Sequence, residues 1–141
     1  MSFNEECFYC TKDERLDNLM IKICDLDASV LYLFKEQTYN GRCLVAHKDH
    51  VNELFDLTDE ERNVFMKDVA RAAKAVSEAF DAYKINYGAY ADKMTHLHYH
   101  IVPKYEGGPD FGSTFQMMPE PKVLLSDEEY SVLIEKVKAK L

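Results

Sequence analysis

Three histidines within five residues constrain this chain more than any other feature, in the segment His-Leu-His-Tyr-His at positions 96–100. On a β-strand, alternate side chains point to the same face of the sheet. The three imidazoles would therefore project together, while the apolar residues between them project from the opposite face and can pack under a helix. The segment predicts a strand that has one buried face and one face of three titratable rings.

Imidazole suits this second face to chemistry on phosphorus. Its unperturbed pKa of about 6.5 leaves much of it neutral and nucleophilic near pH 7. Attack on a phosphorus centre gives a phosphoramidate, a covalent intermediate that water can later open. Neighbouring rings can hydrogen-bond the phosphate oxygens or protonate the leaving group. A strip of surface histidines and an accidental metal-binding strip are the competing interpretations, but apolar residues in every gap favour the functional one.

Apolar periodicity divides the rest of the chain into helices and strands. Helices are predicted over 14–26, from a capping box at Thr58 to about Phe80, and from a second capping box at Ser126 onward. Strands are predicted over 29–34, 42–46, 84–90 and 97–102, with a turn at Asn40-Gly41 between the first two and Pro103 able to end the last. The segment 107–121 is rich in glycine and proline and is predicted to be a loop.

Short connections between successive strands favour an antiparallel sheet, and the long helix would cover one face of it. The predicted fold class is therefore α+β. A length of 141 residues, of which 47% are hydrophobic, matches a single domain over 1–141.

Charge and hydropathy exclude several classes of function. The net charge is −8 and no cluster of lysine and arginine stands out, so binding nucleic acid is not expected as the main role. No run of about 18 apolar residues predicts a membrane span. The segment Met1–Tyr9 lacks a basic stretch followed by an apolar one, so we predict no secretory signal and a cytoplasmic protein.

Cysteines suggest a second site. Cys7 and Cys10 form a Cys-x-x-Cys pair, which can supply half of a tetrahedral zinc site when two distant histidines complete it. The candidate histidines are His47, His50 and His96. A redox pair and inert thiols are the alternative interpretations of this pair. The remaining cysteines, at 24 and 43, are most simply interpreted as small buried residues.

Residues 96–102, His-Leu-His-Tyr-His-Ile-Val, resemble the signature of the histidine triad family, His-φ-His-φ-His-φ-φ with φ apolar. The similarity continues through 42–51 and 54–61, so the resemblance covers about 5–118 and leaves a C-terminal helical tail at about 122–141. It implies the histidine triad fold and a homodimer. It also implies an enzyme that hydrolyses or transfers nucleotidyl groups from substrates of the form nucleotide-phosphate-X, and a purine nucleoside phosphate derivative is the expected substrate.

The resemblance also implies residue roles. His98 would attack the α-phosphate, and His100 would contact the phosphate near the leaving group. The activity would be that of a nucleoside phosphoramidase, or alternatively of a dinucleoside polyphosphate hydrolase or phosphorylase. Two further alternatives remain open from the sequence: a nucleotide-binding regulatory protein with little catalysis, and a metal-stabilised interaction module.

Departures from the family pattern concern the nucleotide contacts. The phosphoramidase branch carries a serine three residues before the triad, where this chain has Lys93, and an aspartate that binds the ribose, for which Glu36 is a possible substitute. Asn86 resembles a family asparagine that faces the phosphate. Gln116, in the loop 107–121, offers a further donor, and this loop is either a wall of the nucleotide site or an ordinary surface loop.

A zinc-bearing branch of the family looks similar at the second site. Mapped onto this chain, its ligands are Cys7, Cys10, His50 and His96, with His47 as the alternative to His50. Four protein ligands leave no open position, so the zinc would be structural. It would tie the N-terminal segment to the strand that carries the nucleophile.

Overall fold

A five-stranded antiparallel sheet organises the chain in a computed structural model that describes residues 3–141. The strands are Met20–Asp25 (β1), Ser29–Phe34 (β2), Cys43–His47 (β3), Lys84–Gly88 (β4) and His98–Lys104 (β5). Their order in the sheet is β1-β2-β3-β5-β4. The first two residues of the predicted domain and of the segment tested for a signal lie outside the described residues.

Four helices and a short 3₁₀ turn at Leu54–Asp56 accompany the sheet. The helices are Phe8–Thr11 (α1), Glu14–Leu19 (α2), Asp59–Phe80 (α3) and Asp127–Lys138 (α4). The predicted N-caps are confirmed, since Thr58 and Ser126 each accept a hydrogen bond from the backbone N–H three residues on. At Ser126 the capping box is reciprocal, whereas the Thr58 hydroxyl instead donates to the Glu61 carboxylate.

Both faces of the sheet are covered. On β2, Leu31 and Leu33 face α3 and α4, while Val30, Tyr32 and Phe34 face the N-terminal segment that holds α1 and α2. Such a strand is apolar at nearly every position, which explains its sequence Ser-Val-Leu-Tyr-Leu-Phe. The predicted α+β class, with the long helix on one face, is confirmed, and the opposite face is the one that carries the triad.

The prediction of one helix over 14–26 is wrong in its second half, because α2 ends at Leu19 and β1 begins at Met20. A bulge explains the error: Lys22 pairs with Tyr32 and Cys24 with Leu31, so one residue of β1 has no partner on β2. The bulge resets the two-residue alternation, and the apolar spacing then imitates a helix.

Proline does not end the last strand as predicted. Pro103 lies inside β5, paired with Ile85 of β4. On the other side of β5, the ladder to β3 ends at Ile101. A proline beyond that point removes no hydrogen bond to β3, which is why the strand can continue to Lys104. The preceding strand β4 ends at Gly88, two residues earlier than predicted.

The C-terminal helix joins the same core as α3. Tyr130, Leu133 and Val137 are buried in it, and the Tyr130 hydroxyl donates to the Lys35 carbonyl at 2.7 Å. Among residues 3–141, no helix is both long and apolar enough to cross a membrane.

A buried carboxylate fixes the turn between β1 and β2. Asp68 of α3, 1% exposed, accepts hydrogen bonds from the Ala28 amide at 2.8 Å and the Ser29 hydroxyl at 2.7 Å. We expect Asp68→Ala to lower the free energy of unfolding by about 2–3 kcal/mol, because the buried Ser29 hydroxyl and the half-buried Ala28 amide lose their acceptor. Urea denaturation measures this loss. A matched Asp59→Ala variant on the exposed first turn of α3 should lose much less, and equal losses would contradict the assignment.

Candidate active site

The sheet brings two of the three triad histidines onto β5 and places the third just before it. His98 and His100 lie on the strand with their ring centroids 5.3 Å apart, and His96 precedes it. All three are buried on the face covered by the N-terminal segment. Leu97 and Ile101, between and after them, are buried on the helix side. The alternation predicted from the sequence is therefore confirmed.

A backbone carbonyl sets the tautomer of His98. Its Nδ1 lies 2.7 Å from the carbonyl oxygen of His96, so Nδ1 carries the proton and donates it. The lone pair is then on Nε2, the nitrogen that a nucleophile would use. Burial lowers the pKa of His98, which keeps the ring neutral around pH 7. His98 also lines a cavity that is described below.

Tyr9 of α1 holds two of the rings in place. Its ring centroid lies 5.0 Å from those of both His96 and His98, with interplanar angles of 29° and 32°. Burial raises the pKa of Tyr9 far above its usual value, so the hydroxyl stays protonated. Tyr9 belongs both to the core on this face of the sheet and to the wall of the cavity described below.

His100 has a charged neighbour that the sequence analysis did not single out. The guanidinium of Arg42 lies with Nη2 3.0 Å from His100 Nδ1. Burial, and then this cation, lower the pKa of His100 to about 2. A signal was available: Arg42 opens an apolar strand, and two-residue alternation puts it on the same face as Leu44 and Ala46.

A cavity of about 580 Å³ opens beside His98 and His100. Its walls are mainly apolar and aromatic, which suits the flat, partly apolar base of a nucleoside. Its wall includes residues of α1, of strands β2 and β3, of the segment before β5, and of the loop after it. They include Phe8, Phe34, Leu44, Tyr90, Met94 and Phe115.

The predicted nucleotide contacts fall in different places. Lys93 lines the cavity, as predicted for a site residue, and Asn86 lines a smaller neighbouring cavity that shares Tyr90 and Phe115 with it. Glu36 is outside both: it is buried and accepts hydrogen bonds from the Thr38 hydroxyl and the Val123 amide, each at 2.7 Å. Its carboxylate is used to anchor the C-terminal segment, so the structure does not place it as a ribose ligand.

The loop 107–121 forms a wall of the cavity through apolar side chains. Phe115, Met117 and Met118 line it. The predicted donor Gln116 instead directs its side chain to Asp110, and its backbone N–H donates to the Tyr39 hydroxyl. The functional interpretation of this loop is thus supported by its position, while the residue chosen from it is not at the cavity.

The four predicted metal ligands lie together. Ligand atoms of Cys7, Cys10, His50 and His96 are all within 4.8 Å of one another. His96 Nε2 lies 2.7 Å from the His47 carbonyl oxygen and donates to it, so the lone pair of His96 is on Nδ1, the atom facing the cysteines. The His47 side chain is elsewhere, packed against Phe65. The structure therefore favours His50 over His47.

Four of the six distances between ligand atoms in this cluster match a tetrahedral metal site. Metal–ligand distances of 2.0–2.3 Å place tetrahedral ligand atoms roughly 3.3–3.8 Å apart. His96 Nδ1 lies 3.4 Å from Cys7 Sγ, 3.8 Å from Cys10 Sγ and 3.3 Å from His50 Nδ1. Cys10 Sγ lies 3.4 Å from His50 Nδ1. None of the four cysteines is in a disulfide. The cluster can bind a metal ion, and its donor set fits zinc.

Comparison with known proteins agrees with this geometry. The model of the HIT domain family matches residues 17–107. An adenosine 5′-monophosphoramidase of Schizosaccharomyces pombe is 26% identical over 136 residues, which cover 96% of this chain and 98% of the relative.

Solved structures show the same fold. A histidine triad protein from Sinorhizobium meliloti superposes with a TM-score of 0.83 at 22% identity, covering 92% of this chain and 95% of that one. A zinc-bound histidine triad family protein from Mycobacterium smegmatis has a TM-score of 0.67 at 21% identity, with 94% of each chain covered.

Proposed function

Since the chain belongs to the HIT domain family, we propose that it cleaves nucleotide-phosphate-X substrates through a covalent nucleotidyl group on His98. The observation that carries this proposal is the hydrogen bond from His98 Nδ1 to the His96 carbonyl. It directs the lone pair to Nε2 of a ring that is neutral and lines the cavity.

The reaction needs two displacements at phosphorus. In the first, His98 Nε2 forms a bond to the α-phosphorus as the bond to the leaving group breaks; the leaving group departs with the electron pair, and an amine takes up a proton from water as it departs. In the second, the oxygen of water attacks the same phosphorus, the phosphorus–nitrogen bond breaks with its electron pair returning to Nε2, and nucleoside monophosphate is released. Over the two steps one water is consumed: its oxygen ends on the phosphate and its proton on the leaving amine. His100 contributes a hydrogen bond to a phosphate oxygen.

The identity of the leaving group has two candidates. An amine is the first, because a relative that spans nearly the whole chain is an adenosine 5′-monophosphoramidase. A phosphate chain is the second, because Lys93 lines the cavity and can pair with an anionic leaving group. The substrates to compare are therefore adenosine 5′-monophosphoramidate and diadenosine polyphosphates.

We also propose that Cys7, Cys10, His50 and His96 hold a structural zinc ion. Bound zinc would fix the N-terminal segment, including Tyr9, against the strand that carries His98. His96 is thereby committed to the metal, which leaves His98 and His100 for the substrate. The expected homodimer remains a prediction.

A substrate panel tests the proposed activity. We expect adenosine 5′-monophosphoramidate to yield AMP with multiple turnovers. A diadenosine polyphosphate should be cleaved faster than this substrate only if Lys93 pairs with an anionic leaving group. Lys93→Ala should then slow the polyphosphate selectively. Liquid chromatography of the products measures both. Tight nucleotide binding without turnover of any substrate would instead identify a nucleotide-binding regulatory protein.

A further inference from the structure

Arg42 is a buried cation without a direct ion pair. It lies at the start of β3 and is 0% exposed. No ion pair in the part of the chain that the structure describes includes it. Burial lowers the pKa of Arg42 to about 10, so it remains charged at neutral pH. Burying a charge without a direct ion pair is costly, so the contacts that stabilise this guanidinium matter.

Aromatic rings and the loop wall hold the guanidinium in one orientation. Its central carbon lies 4.3 Å from the ring centroid of Phe34 and 5.1 Å from that of Phe115, which gives cation–π stabilisation. Nη1 donates to the Gln116 carbonyl at 3.2 Å. Nε has no hydrogen-bond partner in the described residues. The remaining nitrogen, Nη2, lies within hydrogen-bond distance of His100 Nδ1 and also contacts Met117 Sδ, more weakly, at 3.6 Å.

The direction of the hydrogen bond between Arg42 and His100 is fixed by chemistry. A guanidinium has only donors, so His100 Nδ1 must accept and cannot carry a proton. The proton of the neutral ring is then on Nε2. We propose that Arg42 is a positioning residue that holds His100 as an Nε2–H donor, aimed at a non-bridging oxygen of the substrate phosphate. The contact with the substrate phosphate rests on the proposed function, whereas the tautomer of His100 does not.

This assignment separates the roles of the three rings. Backbone carbonyls fix the tautomers of the first two rings by accepting a hydrogen bond from each: His96 carries its proton on Nε2 and His98 on Nδ1. Only the third ring is fixed by a side chain, and that side chain is a cation. His100 consequently stays neutral and donates a hydrogen bond to the phosphate, without delivering a proton to the leaving group.

Few other groups can disturb this arrangement. The titratable groups that act on His100 are Arg42 and His98, and the rings of Phe34 and Phe115 pack on its remaining sides. Glu36, the buried acid that acts on Arg42, raises the pKa of that guanidinium and so helps to keep the donor charged. The charged positions of the cavity wall are Asp92 and Lys93.

Long-range proton–nitrogen correlation spectra of ¹⁵N-histidine-labelled protein test the proposal directly, because they distinguish the two neutral tautomers and the charged ring. We expect wild-type His100 to show Nε2–H with no protonation between pH 5 and 8. In Arg42→Met, the Nδ1–H form should appear and the ring should begin to titrate within this range. Arg42→Lys, which keeps a charged donor, should largely restore the Nε2–H form.

His98 is the internal control, since its Nδ1–H tautomer depends on a backbone carbonyl and should be the same in all three proteins. Wild-type His100 protonated on Nδ1 would overturn the proposal, and this result needs no variant to fold. A spectrum of Arg42→Met in which the His100 signals are unchanged would also overturn the proposal. These outcomes do not depend on turnover, so they are distinguishable from failure of the proposed function.

Kinetics gives a second measurement. Arg42→Met should lower kcat for adenosine 5′-monophosphoramidate by about 10²-fold, the usual loss when a donor to the reacting phosphate is misaligned. KM should change much less, because the nucleoside wall is intact, and Arg42→Lys should recover most of the rate. A loss confined to KM would overturn the assignment to the phosphate.

Discussion

Replacing His98 by asparagine is expected to lower the rate of nucleotide cleavage by on the order of 10⁴-fold or more, because the reaction loses its nucleophile. Asparagine is the sharpest choice for this position. Its amide nitrogen can take the place of Nδ1 and donate to the His96 carbonyl, so the local hydrogen bond is kept while Nε2 is removed. Steady-state hydrolysis of adenosine 5′-monophosphoramidate measures the effect.

His47→Asn is a matched control for this variant. His47 is also a buried histidine, but it lies outside the cavity that His98 lines and outside the metal cluster. Its Nδ1 accepts from the Asp49 amide at 3.0 Å, a bond that an asparagine oxygen can replace. The control should keep near-wild-type activity. A His98→Asn protein that is folded and retains more than about a tenth of the wild-type rate would exclude His98 as the nucleophile.

The second large effect concerns the metal. Cys7→Ser combined with Cys10→Ser is expected to abolish zinc binding and to lower Tm by on the order of 10 °C. The reason is linkage: a metal that binds only the folded chain stabilises it by about 4 kcal/mol when its concentration is 1,000 times Kd. Elemental analysis should find one zinc per chain in the wild type and none in the double variant.

Two controls separate the metal from a general loss of packing. Cys24→Ser changes a cysteine that lies outside the cluster and should keep both the zinc and the stability. A strong chelator should lower the Tm of the wild type and leave that of the double variant unchanged. A metal-free wild type with the same Tm would contradict the zinc assignment.

Local motifs allowed much of this site to be predicted from sequence. The period of two in 96–100 predicted which face each histidine occupies, and the resemblance to the zinc-bearing branch of the family indicated the four residues of the metal cluster. The first pattern lies within one short segment, and a strand preserves it. The long helix was predicted to its last residue, Phe80, for the same reason: its cap and its apolar stripe are local.

Features that depend on tertiary context could not be predicted in this way. The bulge in β1 disguised a strand as a helix, and nothing local reveals that one residue lacks a partner. Its position alone makes Glu36 a possible substitute for the ribose-binding aspartate, but its carboxylate accepts a hydrogen bond from the Val123 amide of the C-terminal segment. Arg42 gained its role from residues far along the chain, His100 and Gln116. These contacts exist only once the loop has folded back onto the sheet.

The central claim is that a nucleotide becomes covalently attached to His98, and intact mass after rapid quenching tests it most directly. The protein is mixed with excess adenosine 5′-monophosphoramidate and denatured without acid, because a phosphorus–nitrogen bond is acid-labile. We expect the wild type to gain the mass of one adenylyl group, and peptide mapping to place this group on His98. The His98→Asn protein should gain no such mass. Turnover of the substrate with no adduct at any mixing time, or an adduct on another residue, would contradict it.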